Sequence, residues 1–172
     1  MTIAVPDPAR HGAYKMGATA LLLAAAAILG ALAFEHLGGI VPCELCLTER
    51  YAYYAGVPLL FVALVLLSAG LPRSAAVVFL LTGLAFIANA VLGGYHAGVE
   101  WHFWPGPSAC TGTQALTTSA GDLMSALAKT RVVRCDEAAW RMFGISLAGW
   151  NALASALIAA LALRAAQDAA RV

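Results

Sequence analysis

Charge is what this sequence has least of. Only 11% of its 172 residues are Asp, Glu, Lys or Arg, and 62% are hydrophobic, against roughly 25% charged and 45–50% apolar in soluble domains. The scarcity is patterned. None of the four charged types occurs in residues 16–34, 51–72, 74–99 or 142–163, runs of 19, 22, 26 and 22 residues. A helix needs about 20 apolar residues to cross the ~30 Å hydrocarbon layer, so each run has spanning length and a water-soluble globule is excluded. Other absences remove other classes. The formal net charge is +1 and no Lys/Arg cluster occurs, which leaves no electrostatic footprint for nucleic acid. Neither G-x-G-x-x-G after a strand nor G-x-x-x-x-G-K-S/T is present, so no dinucleotide or nucleoside triphosphate has a visible cradle.

What remains is an all-α membrane protein, a four-transmembrane-helix bundle forming a single membrane domain over residues 1–172. The expected spans are about 16–36, 51–70, 74–94 and 142–163, with loops at about 37–50 and 95–141. The cluster Gly70-Leu71-Pro72-Arg73-Ser74 makes the second and third spans an antiparallel hairpin. Arg10 and Lys15 before the first run and Ala31-Leu32-Ala33 within it also suit a signal peptide, but the run exceeds the usual 7–15-residue signal core. Lys and Arg number five on each side of the bundle. Arg10, Lys15, Arg73, Arg164 and Arg171 sit in short segments beside span ends, where the positive-inside rule applies best, which places both termini in the cytoplasm. In the second loop, Leu116, Ala120, Leu123, Met124 and Leu127 recur at helical spacing, predicting a short surface helix.

The sequence has four cysteines, Cys43, Cys46, Cys110 and Cys135, none of them in an expected span and all on the non-cytoplasmic side. Disulfides persist in an oxidising compartment, and four cysteines allow three connectivities. Structural staples would account for Cys110 and Cys135, since a long closed loop restricts the unfolded chain. They account poorly for Cys43-Glu44-Leu45-Cys46, because C-x-x-C closes a tiny loop and is the spacing of thiol-disulfide oxidoreductases. Pro42 precedes the pair and the second span follows it, which sets both sulfurs near a helix N-terminus, where the dipole favours a thiolate. Continued helically, Cys43, Cys46 and Arg50 fall at i, i+3 and i+7 on one face, so Arg50 can hold positive charge beside Cys46. Zinc is disfavoured because the second cysteine pair is not closely spaced. Leu47 follows Cys46, which excludes C-x-x-C-H and covalent haem. Asn89 and Asn151, polar residues inside spans, are explained by interhelical hydrogen bonding.

Several stretches together carry a resemblance: Pro42-Cys43-Glu44-Leu45-Cys46-Leu47-Thr48-Glu49-Arg50, Tyr95-His96, Gly106-Pro107-Ser108-Ala109-Cys110, and Cys135-Asp136-Glu137-Ala138-Ala139-Trp140 leading into Gly144-Ile145-Ser146-Leu147-Ala148-Gly149-Trp150. From about residue 16 to 163 the chain resembles the disulfide bond formation protein B (DsbB) family of quinone-dependent oxidases. The resemblance implies a multi-pass protein of the bacterial inner membrane that re-oxidises a periplasmic thioredoxin-like oxidase (DsbA-like) and passes the electrons to ubiquinone or menaquinone in the membrane, with no metal or haem. It implies that the partner attacks the Cys110 with Cys135 bond at Cys110. Cys135 then attacks the Cys43 with Cys46 bond, and Cys46, beside Arg50, delivers electrons to a quinone near His96. Two departures stand out: Glu44 lies between the active cysteines, and Trp101-His102-Phe103-Trp104 makes the loop unusually aromatic.

Overall fold

The computed structural model describes residues 8–107 and 135–172. The expected surface helix and Cys110 lie outside the described residues. Four long helices carry the charge-free runs: α1 (Pro8–His36), α2 (Glu44–Ser68), α3 (Pro72–Glu100) and α4 (Leu147–Ala169). Each is long and apolar enough to cross a membrane. They outrun the charge-free runs, and Arg10 shows how a polar end can be accommodated. α1 begins at Pro8, a residue whose fixed φ suits a first helical turn, and Arg10 Nη2 there donates to the Leu67 carbonyl at 3.0 Å and the Ser68 carbonyl at 3.2 Å. Those carbonyls belong to the last turn of α2, where the continuing helix supplies no i+4 N–H; Leu67 O also accepts Gly70 N at 3.3 Å.

At the fourth helix the chain departs from the charge pattern. Arg141–Met142 (β1) and Ile145–Ser146 (β2) form a two-stranded antiparallel ribbon, so α4 starts at Leu147 instead of near 142. Phe143 and Gly144 between the strands have φ of 52° and 81°, and a two-residue hairpin turn of this hand needs positive φ at both central positions. Ser146 then caps α4, its hydroxyl accepting from Gly149 N at 3.2 Å.

The helices form a closed ring in which α3 packs most extensively on α4, α4 on α1, and α2 on both α3 and α1, while α2 and α4 meet sparsely across the diagonal. Neighbours run antiparallel: Tyr14 of α1 bonds Ser68 of α2, and Gly12 of α1 sits under Asp168 of α4. Both described chain ends and the Arg73 turn therefore lie at one end of the bundle, with Cys43, Cys46 and Cys135 at the other. Phe79, Phe86, Leu60, Leu67 and Ile158 fill the centre among alanines. The outward faces are just as apolar: Leu22, Phe61, Val91 and Leu153, one from each helix, are all more than half exposed. An apolar girdle on every helix is the surface a bilayer covers.

Candidate functional site

The site grows from the first turn of α2. Cys43 is its N-cap, with extended backbone (φ −80°, ψ 170°), and its sulfur accepts the Cys46 backbone N–H at 3.3 Å. The two sulfurs share a hydrogen bond at 2.9 Å, and neither is in a disulfide. On the other side of Cys43 stands His96 of α3, with Nε2 3.6 Å from Sγ. The hydrogen bond with Cys46 holds the Cys43 thiol well below the ordinary thiol range; the His96 hydrogen bond, the Cys46 N–H and the His96 charge act the same way, and burial opposes them. Donors thus converge on Cys43, and its sulfur is the natural place for a thiolate.

Beneath this pair lies a polar network that uses three helices. His96 Nδ1 is 2.8 Å from Glu49 Oε1, and Asn151 Nδ2 of α4 donates to Glu49 Oε2 at 2.8 Å. Asn151 Oδ1 accepts the Tyr53 hydroxyl at 2.6 Å, and Asn89 Nδ2 donates to Ser155 Oγ at 2.9 Å. Glu49, His96, Asn89, Tyr53 and Ser155 are all buried, so these groups satisfy one another where water does not reach. The expected interhelical bonding of Asn89 and Asn151 is present, and through Glu49 it extends to the histidine beside Cys43. Gly93 makes room for it, since a Cβ there would lie 3.0 Å from Asn151 Nδ2 and 3.1 Å from the backbone N of Ala152.

A cavity of about 430 Å³ opens beside the dithiol, within the roughly 300–1,000 Å³ span of small-molecule sites. Cys43, Cys46 and Arg50 all line it, as the i, i+3, i+7 spacing requires, together with His96, Glu49 and Glu100. Ile28, Phe34, Trp140, Leu147 and Trp150 make the rest of the wall largely apolar. Arg50 forms an ion pair with Glu35 of α1 at the cavity. His96 approaches a cysteine sulfur as well, that of Cys43. Glu100 is 7% exposed, and its Oε2 is buried without a hydrogen-bond partner among the described residues.

Cys135 is disulfide-bonded and 1% exposed. It forms one buried cluster with Cys43 and Leu45, against which Cys46 and Leu92 pack. Cys43, Cys46, His96, Arg50 and Cys135 thus meet at one end of the bundle, and Cys110 lies outside the described residues. The two thiols and one imidazole nitrogen all lie within 4.8 Å of one another, a donor set for a thiophilic cation. The 2.9 Å between sulfurs is nevertheless shorter than the about 3.7 Å that a tetrahedral site with Zn–S near 2.3 Å imposes, so the two sulfurs are not set at zinc-ligand spacing. Sequence reasoning passed over Glu35, Tyr53 and Glu100 and weighed no role for Glu49. The signals were there: Cys46, Glu49 and Tyr53 fall at i, i+3 and i+7, and His96 and Glu100 at i and i+4, which puts each set on one helix face.

A four-helix membrane bundle that gathers a dithiol, a second-loop disulfide cysteine and an apolar cavity at one end belongs to the class of integral-membrane thiol-disulfide oxidoreductases. Comparison with protein families makes the assignment specific: the family described as "Disulfide bond formation protein DsbB" matches residues 15–165. The chain belongs to the DsbB family, as the sequence resemblance implied, and is a multi-pass inner-membrane protein of disulfide bond formation. No curated protein and no solved structure gives a significant match.

Proposed function

We propose that the protein is a thiol:quinone oxidoreductase that re-oxidises a DsbA-like dithiol oxidase in the periplasm and delivers the electrons to membrane ubiquinone or menaquinone, with both termini in the cytoplasm. The observation that carries this reading is the placement of the Cys43 and Cys46 sulfurs in the wall of a largely apolar cavity that also presents Arg50 and His96. The residues present fit a quinone: aromatic and aliphatic walls suit its ring, and N–H donors suit its carbonyl oxygens. When bound, a quinone supplies a two-electron, two-proton sink.

The chain's own residues account for the rest. A partner thiolate attacks Cys110, and Cys135 leaves as thiolate; the partner's second thiol then displaces Cys110, so the partner ends oxidised and the loop pair reduced. Cys135, which shares a buried cluster with Cys43, attacks its sulfur, forming a Cys43–Cys135 bond and releasing Cys46. Cys110 resolves that bond and frees Cys43. The Cys43/Cys46 dithiol then gives up two electrons and two protons and returns to the disulfide. His96 holds a proton between Cys43 and Glu49, and Arg50 presents positive charge to an oxygen in the cavity. A high-potential sink suits the task, because a catalyst as oxidising as DsbA, near about −120 mV, is kept oxidised through quinone and not by a thiol buffer.

The test is anaerobic mixing of the purified protein with a reduced thioredoxin-like donor and a ubiquinone analogue. Quinone reduction that disappears in Cys46→Ser is expected. Absence of reduction by the wild type, or reduction unchanged in Cys46→Ser, overturns the reading.

A further inference from the structure

The network beneath the dithiol has a single polarity. Asn151 Oδ1 sits among donors: the Tyr53 hydroxyl at 2.6 Å, the Ser155 hydroxyl at 3.4 Å and Asn89 Nδ2 at 3.5 Å. Its Nδ2 faces the one acceptor, Glu49 Oε2, at 2.8 Å. A flipped amide would set N–H against N–H on one side and oxygen against carboxylate on the other, so the surroundings fix one orientation. Glu49 thereby receives an N–H on each oxygen, from Asn151 on Oε2 and from His96 Nδ1 on Oε1. Leaving one oxygen of a buried carboxylate unfilled costs more than the bond itself contributes. With both filled, the carboxyl group cannot swing, the His96 ring is held by Nδ1, and Nε2 stays turned toward Cys43 at 3.6 Å. This is how an outer partner fixes the tautomer and aim of a working histidine.

We propose that Asn151 is a positioning residue of the redox site: by occupying the far oxygen of Glu49 it keeps the near oxygen on His96 Nδ1, and so keeps an imidazole nitrogen on the Cys43 sulfur. The inference rests on reading Cys43 and Cys46 as the redox pair. It goes beyond that reading in giving α4, which carries no cysteine, control of the thiolate. Among the described residues, the titratable and charged groups facing the pair are Cys46, Glu49, Arg50 and Tyr53 from α2, His96 and Glu100 from α3, Glu35 from α1, and Glu137 from the segment before β1. From α4 the site receives only neutral groups, Asn151 and Ser155.

The test uses the full chain, reduced and stripped of quinone in detergent, and follows the pH dependence of Cys43 alkylation by iodoacetamide, resolved from Cys46 by fragment mass. Asn151→Ala is expected to move the profile about one pH unit alkaline, so that alkylation on the acid side is about tenfold slower. Tyr53→Phe keeps the ring beside Phe86 and removes the donor nearest Asn151 Oδ1; it is expected to move the profile the same way by about threefold. Thr82→Ala, whose hydroxyl donates to the Val78 carbonyl of α3, should leave it in place. A purely structural role for Asn151 would lower the melting temperature and leave the profile where it was, and that result overturns the proposal. Should Asn151→Ala not fold, an unshifted profile in Tyr53→Phe overturns it equally. No quinone or partner enters the measurement, so its failure is separate from any failure of quinone turnover.

Discussion

The imidazole Nε2 of His96 lies 3.6 Å from the sulfur of Cys43, which joins the first turn of α2 to the last turns of α3 at the point where the bundle meets its long loop. The first cysteine of the motif, as helix N-cap, accepts a backbone N–H from the same turn that carries the second. One sulfur is thereby stabilised by a backbone donor, a thiol and an imidazole, and the other is left to donate. This asymmetry makes Cys43 the good leaving group when Cys110 displaces it from Cys135.

Replacing His96 tests the asymmetry directly. In the reduced protein Cys43 is held below the ordinary thiol value, which is about 8.5. Such a depressed acid adds stability that is fully present above the unfolded value and is lost as pH falls through the folded one. Wild-type Cys43 should therefore be alkylated readily at pH 6.5, and the melting temperature of the reduced protein should fall on acidification below about pH 8.5. In His96→Phe, alkylation at pH 6.5 should be about tenfold slower or more, with a flatter dependence of melting temperature on pH.

Glu49→Gln keeps the size of the side chain and changes its hydrogen-bonding sense. Both Glu49 oxygens accept, from His96 and from Asn151, so an amide must set its NH₂ against one of two existing donors. The expected loss is about 1–3 kcal/mol, the cost of one buried donor left unpaired, seen as a lower thermal midpoint. A midpoint within 1 °C of wild type would show that Glu49 is not held as described.

Much of this arrangement was legible in the sequence. Charge-free runs gave the four helices because, in lipid, backbone groups must be satisfied within the segment and only long apolar helices achieve this cheaply. Cys43, Cys46 and Arg50 line one cavity wall as their spacing required. The ribbon at 141–146 was hidden because Met142 to Ser146 carries no charge and reads as more of the same apolar run, although Gly144 is a turn signal. Glu49 and Glu35 were hidden for the opposite reason. A charge near a span end normally faces the interface, and only the packing of α1 and α3 against α2 turns these two inward, onto Arg50 and His96.

Gly93 should tolerate no side chain. A Cβ there would approach Ala152 N and Cα at 3.1 and 3.2 Å as well as Asn151 Nδ2, and backbone cannot step aside as the tip of a side chain can. Gly93→Ala is expected to cost about 1–3 kcal/mol, the usual penalty of overpacking, and to disturb the Asn151–Glu49 contact. Gly94→Ala, where a Cβ meets nothing within 4 Å, is the control and should be neutral or slightly stabilising, since alanine is the better helix former.

Arg50 and Glu35 should separate acceptor binding from donor oxidation. Arg50 lines the cavity and is paired with Glu35, both side chains being less than a third exposed. Arg50→Met removes the positive charge from the cavity, and the KM for a ubiquinone analogue should rise about tenfold, or roughly 1.4 kcal/mol. The KM for the reduced protein donor should be unchanged. Glu35→Gln leaves the guanidinium in place with a weaker tether, and its effect on the quinone KM should be smaller, about threefold. Equal changes in both KM values for Arg50→Met would place its role elsewhere than the cavity.

The shared burial of Cys135 and Cys43 leads to a trapping experiment. Cys135 and Cys43 share a buried cluster, whereas a relay between distant loops would need the long loop to move for every transfer. Removing Cys46 and Cys110 together takes away the leaving group on one side and the resolving thiol on the other, so the two cysteines that remain can only pair with each other. The double variant Cys46→Ser/Cys110→Ser, purified under air, should carry a Cys43–Cys135 disulfide in most molecules, read as a single linked peptide pair after non-reducing digestion and absent after reduction. Its thermal midpoint should stay close to wild type, because the bond joins residues of one buried cluster. Two free thiols in a folded double variant would mean that the sulfurs do not reach each other, and electrons would then have to pass between the pairs through another thiol.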